Sequence, residues 1–201
     1  YGAMRSAAQI ISYEIPLGLS ILLPVLVVGS LEMSEIVAWQ AEHRWFILHS
    51  PFTFIAFFIF FISGLAETNR TPFDIPEAES ELVAGWMTEY SGFRWAIFFL
   101  SEYASMLIIC ILTSILFLGG WLSPMTIFSI FPDNWLLLDG PVWGVFWLFS
   151  KALFLIFVMM WFRWTFPRLR VDQLMHLCWK VFIPFALANL FFVAILELIF
   201  L

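Results

Sequence analysis

Cysteine is nearly absent. The chain of 201 residues has two, Cys110 and Cys178, and they form no CxxC or other cluster. That scarcity argues against a disulfide framework, a zinc site and an iron–sulfur cluster. Charge is scarce as well: charged residues make up 12% of the chain, where an average soluble domain has roughly 25%. Basic residues are the rarer sign, 9 Lys and Arg against 15 Asp and Glu, for a formal net charge of −6. A nucleic-acid binder needs a basic surface, so that class falls. The sequence has no Walker A pattern, no GxGxxG and no HExxH, and its three histidines, His43, His49 and His176, are scattered. Nucleotide-binding loops and metalloprotease sites go with those absences. Any redox chemistry must then be done by a partner, and no cofactor is expected to bind this chain directly.

What the chain has in quantity is apolar surface. Hydrophobic residues make up 63% and aromatic residues 20%, with 25 Phe and 11 Trp, and the mean hydropathy is +0.96. Such a composition cannot coat a soluble globule and is far too apolar for a disordered chain. It predicts an all-α, polytopic integral membrane protein. Five apolar stretches, at about 6–29, 45–66, 95–120, 141–162 and 181–201, each approach the length of about 20 residues that a spanning helix needs. There is no internal repeat and no low-complexity linker, so the expectation is a single membrane domain. The first stretch is too long for a signal peptide, contains Glu14 and lacks a small-residue cleavage site. Because the chain opens at Tyr1, close to a helix, something is expected to precede or accompany it.

Five helices put the N-terminus and the segments 67–94 and 163–180 on one side. Arg5, Arg70, Arg94, Arg163, Arg168, Arg170 and Lys180 lie there, against Arg44 alone on the other side. The positive-inside rule places that side in the cytoplasm or the mitochondrial matrix, and the C-terminus outside.

Four charges fall inside the apolar stretches: Glu14, Glu102, Lys151 and Glu197. An ionisable group within the membrane is costly, which makes it a functional candidate by default. Burial favours the neutral form of a carboxylic acid, a property suited to proton exchange near neutral pH. Glu14 and Glu102 are therefore candidates for proton handling, with Tyr13 and Tyr103 as neighbouring donors. The alternative is that each acid only holds helices together. Lys151 is open between pairing with one of these acids, contacting a partner subunit and snorkelling to the surface. Glu197 reads as interfacial.

The segment 67–94 carries six carboxylates within its first 23 residues: Glu67, Asp74, Glu77, Glu79, Glu81 and Glu89. Pro72 and Pro76 bar a helix through Asp74, and Pro76 is placed to open a new one with Glu77 near its positive end. Two readings stay open, a solvated acidic loop that docks a basic partner and a hydrated acidic path between a binding cavity and the membrane. The segment 163–180 spaces basic residues with aromatics, as suits lipid headgroups or an acidic partner. Arg163 could instead line a ligand cavity.

The run AETNRTPFDIPEAESEL at 66–82 resembles the signature loop of the quinone-module membrane subunit of respiratory complex I, called NADH dehydrogenase subunit 1 in mitochondria and the H subunit in bacteria. The likeness extends to YGAMR at 1–5, ISYE at 11–14, Glu89-Tyr90, FFLSEY at 98–103 and PRLRVDQLMH at 167–176. The resemblance implies a non-redox subunit of a proton-translocating NADH:ubiquinone oxidoreductase, with ubiquinone as substrate. It implies that FMN and iron–sulfur clusters sit in partner subunits. Expected partners are the hydrophilic quinone-module subunits, the neighbouring membrane subunits and membrane lipids. Carried over by motif, Glu14, Glu67 and Glu102 are the intramembrane members of a proton path. Asp74, Glu77, Glu79, Glu81 and Glu89 form an acidic funnel below the quinone cavity. Arg70 organises the loop together with Phe73, and Arg163 lies near the tunnel. No activity is expected from this chain alone.

The family's chains have eight membrane helices, so a separate chain is expected to supply the N-terminal third. Trp86-Met87-Thr88 and Ser105 depart from the family's pattern but leave the acids in place. The abundance of Phe suggests an AT-rich mitochondrial genome, and so the mitochondrial inner membrane, with a bacterial plasma membrane as the alternative. The competing functions are a homologous subunit of a membrane-bound hydrogenase-type oxidoreductase, a stand-alone proton channel, and a purely structural anchor.

Overall fold

Long apolar runs can satisfy their backbone in a membrane only as helices, and helices are what the chain builds. The computed structural model describes residues 2–74, 90–124 and 141–200. Among them the elements are α1 (Gly2–Val28), α2 (Met33–Glu42), α3 (Phe46–His49), α4 (Pro51–Glu67), α5 (Phe93–Phe117), α6 (Pro141–Thr165), α7 (Val171–Leu177), a π-helical turn (Cys178–Phe182) and α8 (Ile183–Phe200). Four spans, Ala3–Val28, Phe93–Phe117, Val142–Thr165 and Val171–Ile199, are long and apolar enough to cross a membrane. The 17 residues of α4 reach about 26 Å, at the short end of the spanning range. The all-α, polytopic class expected from composition is what the structure has.

Two boundaries differ from the sequence expectation for identifiable reasons. The stretch 45–66 is not one helix, because it breaks at Ser50. Proline disfavours helical backbone in the residue before it, and Ser50 is extended, at φ −148° and ψ 158°. Ser50 then caps α4: its Oγ accepts from the Thr53 N–H at 3.2 Å, and its own N–H donates to Thr53 Oγ1 at 3.1 Å. The last stretch begins at Val171 rather than 181, and α7, the π turn and α8 run on from one another. Leu174, Cys178, Phe182 and Ala186 form one buried stripe along them, while Asp172, Gln173 and His176 face outward. The loop expected at 163–180 shrinks to the few residues between Thr165 and Val171.

α1 packs against α4 and α8, α5 against α6, and α4 also touches α5 and α8. Aromatic rings stitch the centre together. Phe60 and Phe117 lie 5.7 Å apart, joining α4 to α5, and Phe61 and Phe162 lie 6.1 Å apart, joining α4 to α6. Within α1, Pro16 has no N–H to offer the Ser12 carbonyl four residues back. The Cys178 thiol donates to that carbonyl at 2.9 Å and fastens the π turn to α1.

The opposite end is sealed by polar caps on α5. The Lys151 ammonium donates to the carbonyls of Leu118, Gly120 and Leu122 at 2.7, 3.0 and 2.6 Å. It also sits 4.1 Å from the centre of the Trp45 ring. Lys151 therefore does not pair with Glu14 or Glu102. It binds the end of a helix where carbonyls are left without intrahelical partners.

α4 and α5 approach closely at Gly64, where an added Cβ would lie 2.6 Å from Ile109 Cγ2. Gly64→Ala should thus cost about 1–3 kcal/mol through overpacking, read as earlier thermal loss of the detergent-solubilised protein. Gly18→Ala, with nothing within 4 Å of the new Cβ among the described residues, should not lower that temperature, since Ala is also the better helix former.

Candidate functional site

The charged end of the bundle is organised around residues 66–74. α4 stops at Glu67, and Thr68 closes its last turn by donating from N to Gly64 O at 3.1 Å and from Oγ1 to Leu65 O at 3.0 Å. Asn69 follows with φ +51°, a left-handed conformation that Asn tolerates better than most residues. The Phe73 N–H donates to Arg70 O at 2.7 Å and completes a tight corner.

Three elements hold this corner. From α1, the Gln9 amide donates to Ala66 O at 2.7 Å and to Phe73 O at 2.9 Å, and the Tyr13 ring lies 5.7 Å from that of Phe73. From the 166–170 connection, the Leu169 N–H donates to Pro72 O at 3.1 Å, and Arg168 pairs with Asp74 at 3.3 Å. From α5, Glu102 Oε1 lies 2.9 Å from Arg70 Nε, and the Arg70 guanidinium stands 4.3 Å over the Tyr103 ring.

Charge here is compact and partly withdrawn from solvent. The Arg70 side chain is 8% exposed and that of Glu102 is 18% exposed, so both depend on each other and on the Tyr103 face for compensation. Asp74 and Arg163 are also within electrostatic reach of Glu102. A second pair of acids forms separately: Glu14 on α1 and Glu67 at the end of α4 are both exposed and close enough for their charges to act on one another. Among the described residues Gln9 Oε1, Asn69 Oδ1 and Arg70 Nη2 are buried without a hydrogen-bond partner. Polar atoms so placed are the kind that take water. Carboxylates joined to guanidinium groups in a small space can hold, release and re-bind protons as nearby charge changes.

The structure thus brings together Arg70, Phe73, Asp74 and Glu102 with Arg163 near, and sets Glu14 beside Glu67. Glu77, Glu79, Glu81 and Glu89, with the helix expected to open at Pro76, lie outside the described residues. Tyr13 does not serve Glu14, since its hydroxyl donates to Leu174 O at 3.2 Å. Tyr103 presents its ring face to Arg70 rather than a hydroxyl to Glu102. Gln9 is the residue that sequence reasoning passed over. The signal was available, because a lone amide in an apolar run obeys the same cost rule that singled out the acids. A cavity of about 460 Å³ lies at the opposite end, lined in part by Trp39, His43, His49 and Glu197, away from these acids.

Comparison with known proteins decides the family. The NADH dehydrogenase family model matches residues 1–194. The chain belongs to that family. Among its relatives are the H-type subunits of NADH-quinone oxidoreductase from Chlorobaculum tepidum, 53% identical over 97% of this chain and 55% of the relative, and from Geobacillus sp., 52% identical over 99% and 55%. The corresponding protein of Granulibacter bethesdensis is 53% identical over 98% of this chain and 54% of its own length. The chain spans about half the length of the curated relatives it matches. These relatives are bacterial, and they lend no support to the mitochondrial location expected from the phenylalanine content.

Proposed function

We propose that this chain is the portion of a complex I membrane subunit that carries the coupling acids, in a proton-translocating NADH:quinone oxidoreductase of a bacterial plasma membrane. Its substrate at the level of the complex is a quinone, read as ubiquinone. Electrons arrive from FMN and iron–sulfur clusters in partner subunits, and this chain passes none. Arg70, Phe73 and Arg163 border or organise the quinone tunnel. Asp74 with Glu77, Glu79, Glu81 and Glu89 leads inward from it, and Glu14, Glu67 and Glu102 continue the path within the membrane. The tunnel also needs the part of the relatives' length that these residues do not cover, on a separate chain or on the same one. The hydrophilic quinone-module subunits, adjoining membrane subunits and lipids complete the surroundings.

The observation that carries this reading is the Arg70–Glu102 pair at 2.9 Å, held where α1, α4, α5 and the 166–170 connection converge. At an effective dielectric of about 20, a unit charge some 7 Å away changes a neighbour's energy by roughly 2 kcal/mol. A change of charge or protonation at the quinone therefore alters the proton affinity of the first acids, and each acid in turn alters the next. That is a physical basis for coupling quinone reduction to proton movement without any redox group in this chain.

The test is native electrophoresis of detergent-solubilised membranes, with mass spectrometry of the band that contains this chain. The expected band is a very large assembly with flavin and iron–sulfur subunits that oxidises NADH. A band holding hydrogenase subunits, or this chain alone, contradicts the proposal.

A further inference from the structure

We propose that Gln9 is a positioning residue for the Arg70–Glu102 pair. Its carboxamide straps together the two ends of the corner from which Arg70 projects. This rests on the functional reading above and assigns a new member to the same site.

Gln9 is 1% exposed, and its Nε2 donates to Ala66 O at 2.7 Å and Phe73 O at 2.9 Å. Both partners are carbonyls and can only accept, so the NH₂ end of the amide must face them. Ala66 lies in the last turn of α4, and Phe73 lies beyond the turn that Arg70 opens. One side chain on α1 therefore fixes the distance across a loop whose middle carries the guanidinium. Gln9 and Tyr13 are four residues apart on one face of α1, and Tyr13 supports Phe73 from beside the strap. Packing alone does not account for glutamine here. Its Oε1 is buried without a partner among the described residues, a cost that an apolar side chain of the same length would avoid. With the strap removed, the corner keeps its tie to Leu169 but loses the one side chain that bonds both of its ends, and Arg70 is held less closely against Glu102.

The test uses the assembled complex in its native membrane. Gln9→Met keeps the length and removes both donors. It should lower quinone reduction per assembled complex by about tenfold and leave NADH oxidation by an artificial acceptor at the wild-type rate. Gln9→Met combined with Glu102→Gln should be no slower than Glu102→Gln alone, because both changes act on one pair. Gln9→Glu gives an independent readout: a neutral carboxyl has one donor for the two carbonyls and a carboxylate has none. Position 9 is buried, and burial favours the neutral carboxyl, so the variant's turnover relative to wild type should fall as the pH rises and the remaining donor is lost. The charged groups around it, Arg70, Asp74, Glu102 and Arg168, are the same in both proteins, so the ratio isolates the carboxyl introduced at position 9.

Wild-type quinone turnover in Gln9→Met, losses that add with those of Glu102→Gln, or a pH-independent ratio for Gln9→Glu overturns the assignment. The pH ratio decides alone if Gln9→Met fails to assemble. A loss with Glu102→Gln and none with the Gln9 variants removes the strap only. An unchanged rate with Glu102→Gln removes the function of the pair itself.

Discussion

Exchange of Arg70 for methionine should eliminate most of the assembled protein. The guanidinium is the closest opposite charge to Glu102, at 2.9 Å, and both side chains are largely withdrawn from solvent. Breaking a buried pair by deleting one partner costs about 3–5 kcal/mol, because the other charge is left uncompensated. Arg70→Met also removes the cation from the Tyr103 face. The double variant Arg70→Met/Glu102→Gln should recover much of the assembled amount, since no orphan carboxylate remains, but not the quinone turnover. Both quantities are read from native gels and from turnover per assembled complex. Normal assembly of Arg70→Met would mean that the pair contributes little to the fold.

Lys151→Met should be the second most damaging change, and of a different kind. Three carbonyls of residues 118–122 converge on one ammonium, and each hydrogen bond to a charged group is worth about 1.5–3 kcal/mol. Gln40 reinforces the same end, bonding Ile115 O at 3.0 Å and accepting from the Gly119 N–H at 2.9 Å, which keeps the loss below the sum. A decrease on the order of 4 kcal/mol is expected, seen as a lower inactivation temperature of the complex. Lys151→Arg should not restore it, since a planar fork cannot direct three bonds from one nitrogen. Quinone turnover per surviving complex should remain at the wild-type level. A selective fall in turnover would instead make Lys151 part of the proton path.

How much of this was legible in the sequence depends on whether the signal was local. Helix class followed from composition. Glu102 stood out because a carboxylate in an apolar run is costly, and that rule needs no partner. The break at Ser50-Pro51 was also local, yet no Asp, Glu, Lys or Arg marks it, and the apolar runs on either side hid the cap. The start of the last helix was written in the buried spacing of Leu174, Cys178 and Phe182, and was masked by the polar residues on its other face. What could not be read was convergence. Gln9 lies 57 and 64 residues from the carbonyls it holds, and Cys178 lies 166 residues from the carbonyl that Pro16 leaves free. No periodicity encodes such meetings. The family resemblance identified Arg70 and the loop acids, but not that Arg70 answers Glu102 while Arg168 answers Asp74.

The most direct measurement is the turnover of Glu102→Gln in membranes, with quinone and with an artificial electron acceptor, normalised to assembled complex. The amide keeps the size of the side chain and cannot exchange a proton. Quinone reduction should fall by about tenfold or more while NADH oxidation by the artificial acceptor is retained. Equal rates with quinone in variant and wild type would contradict the proposed proton path and leave the acids as packing.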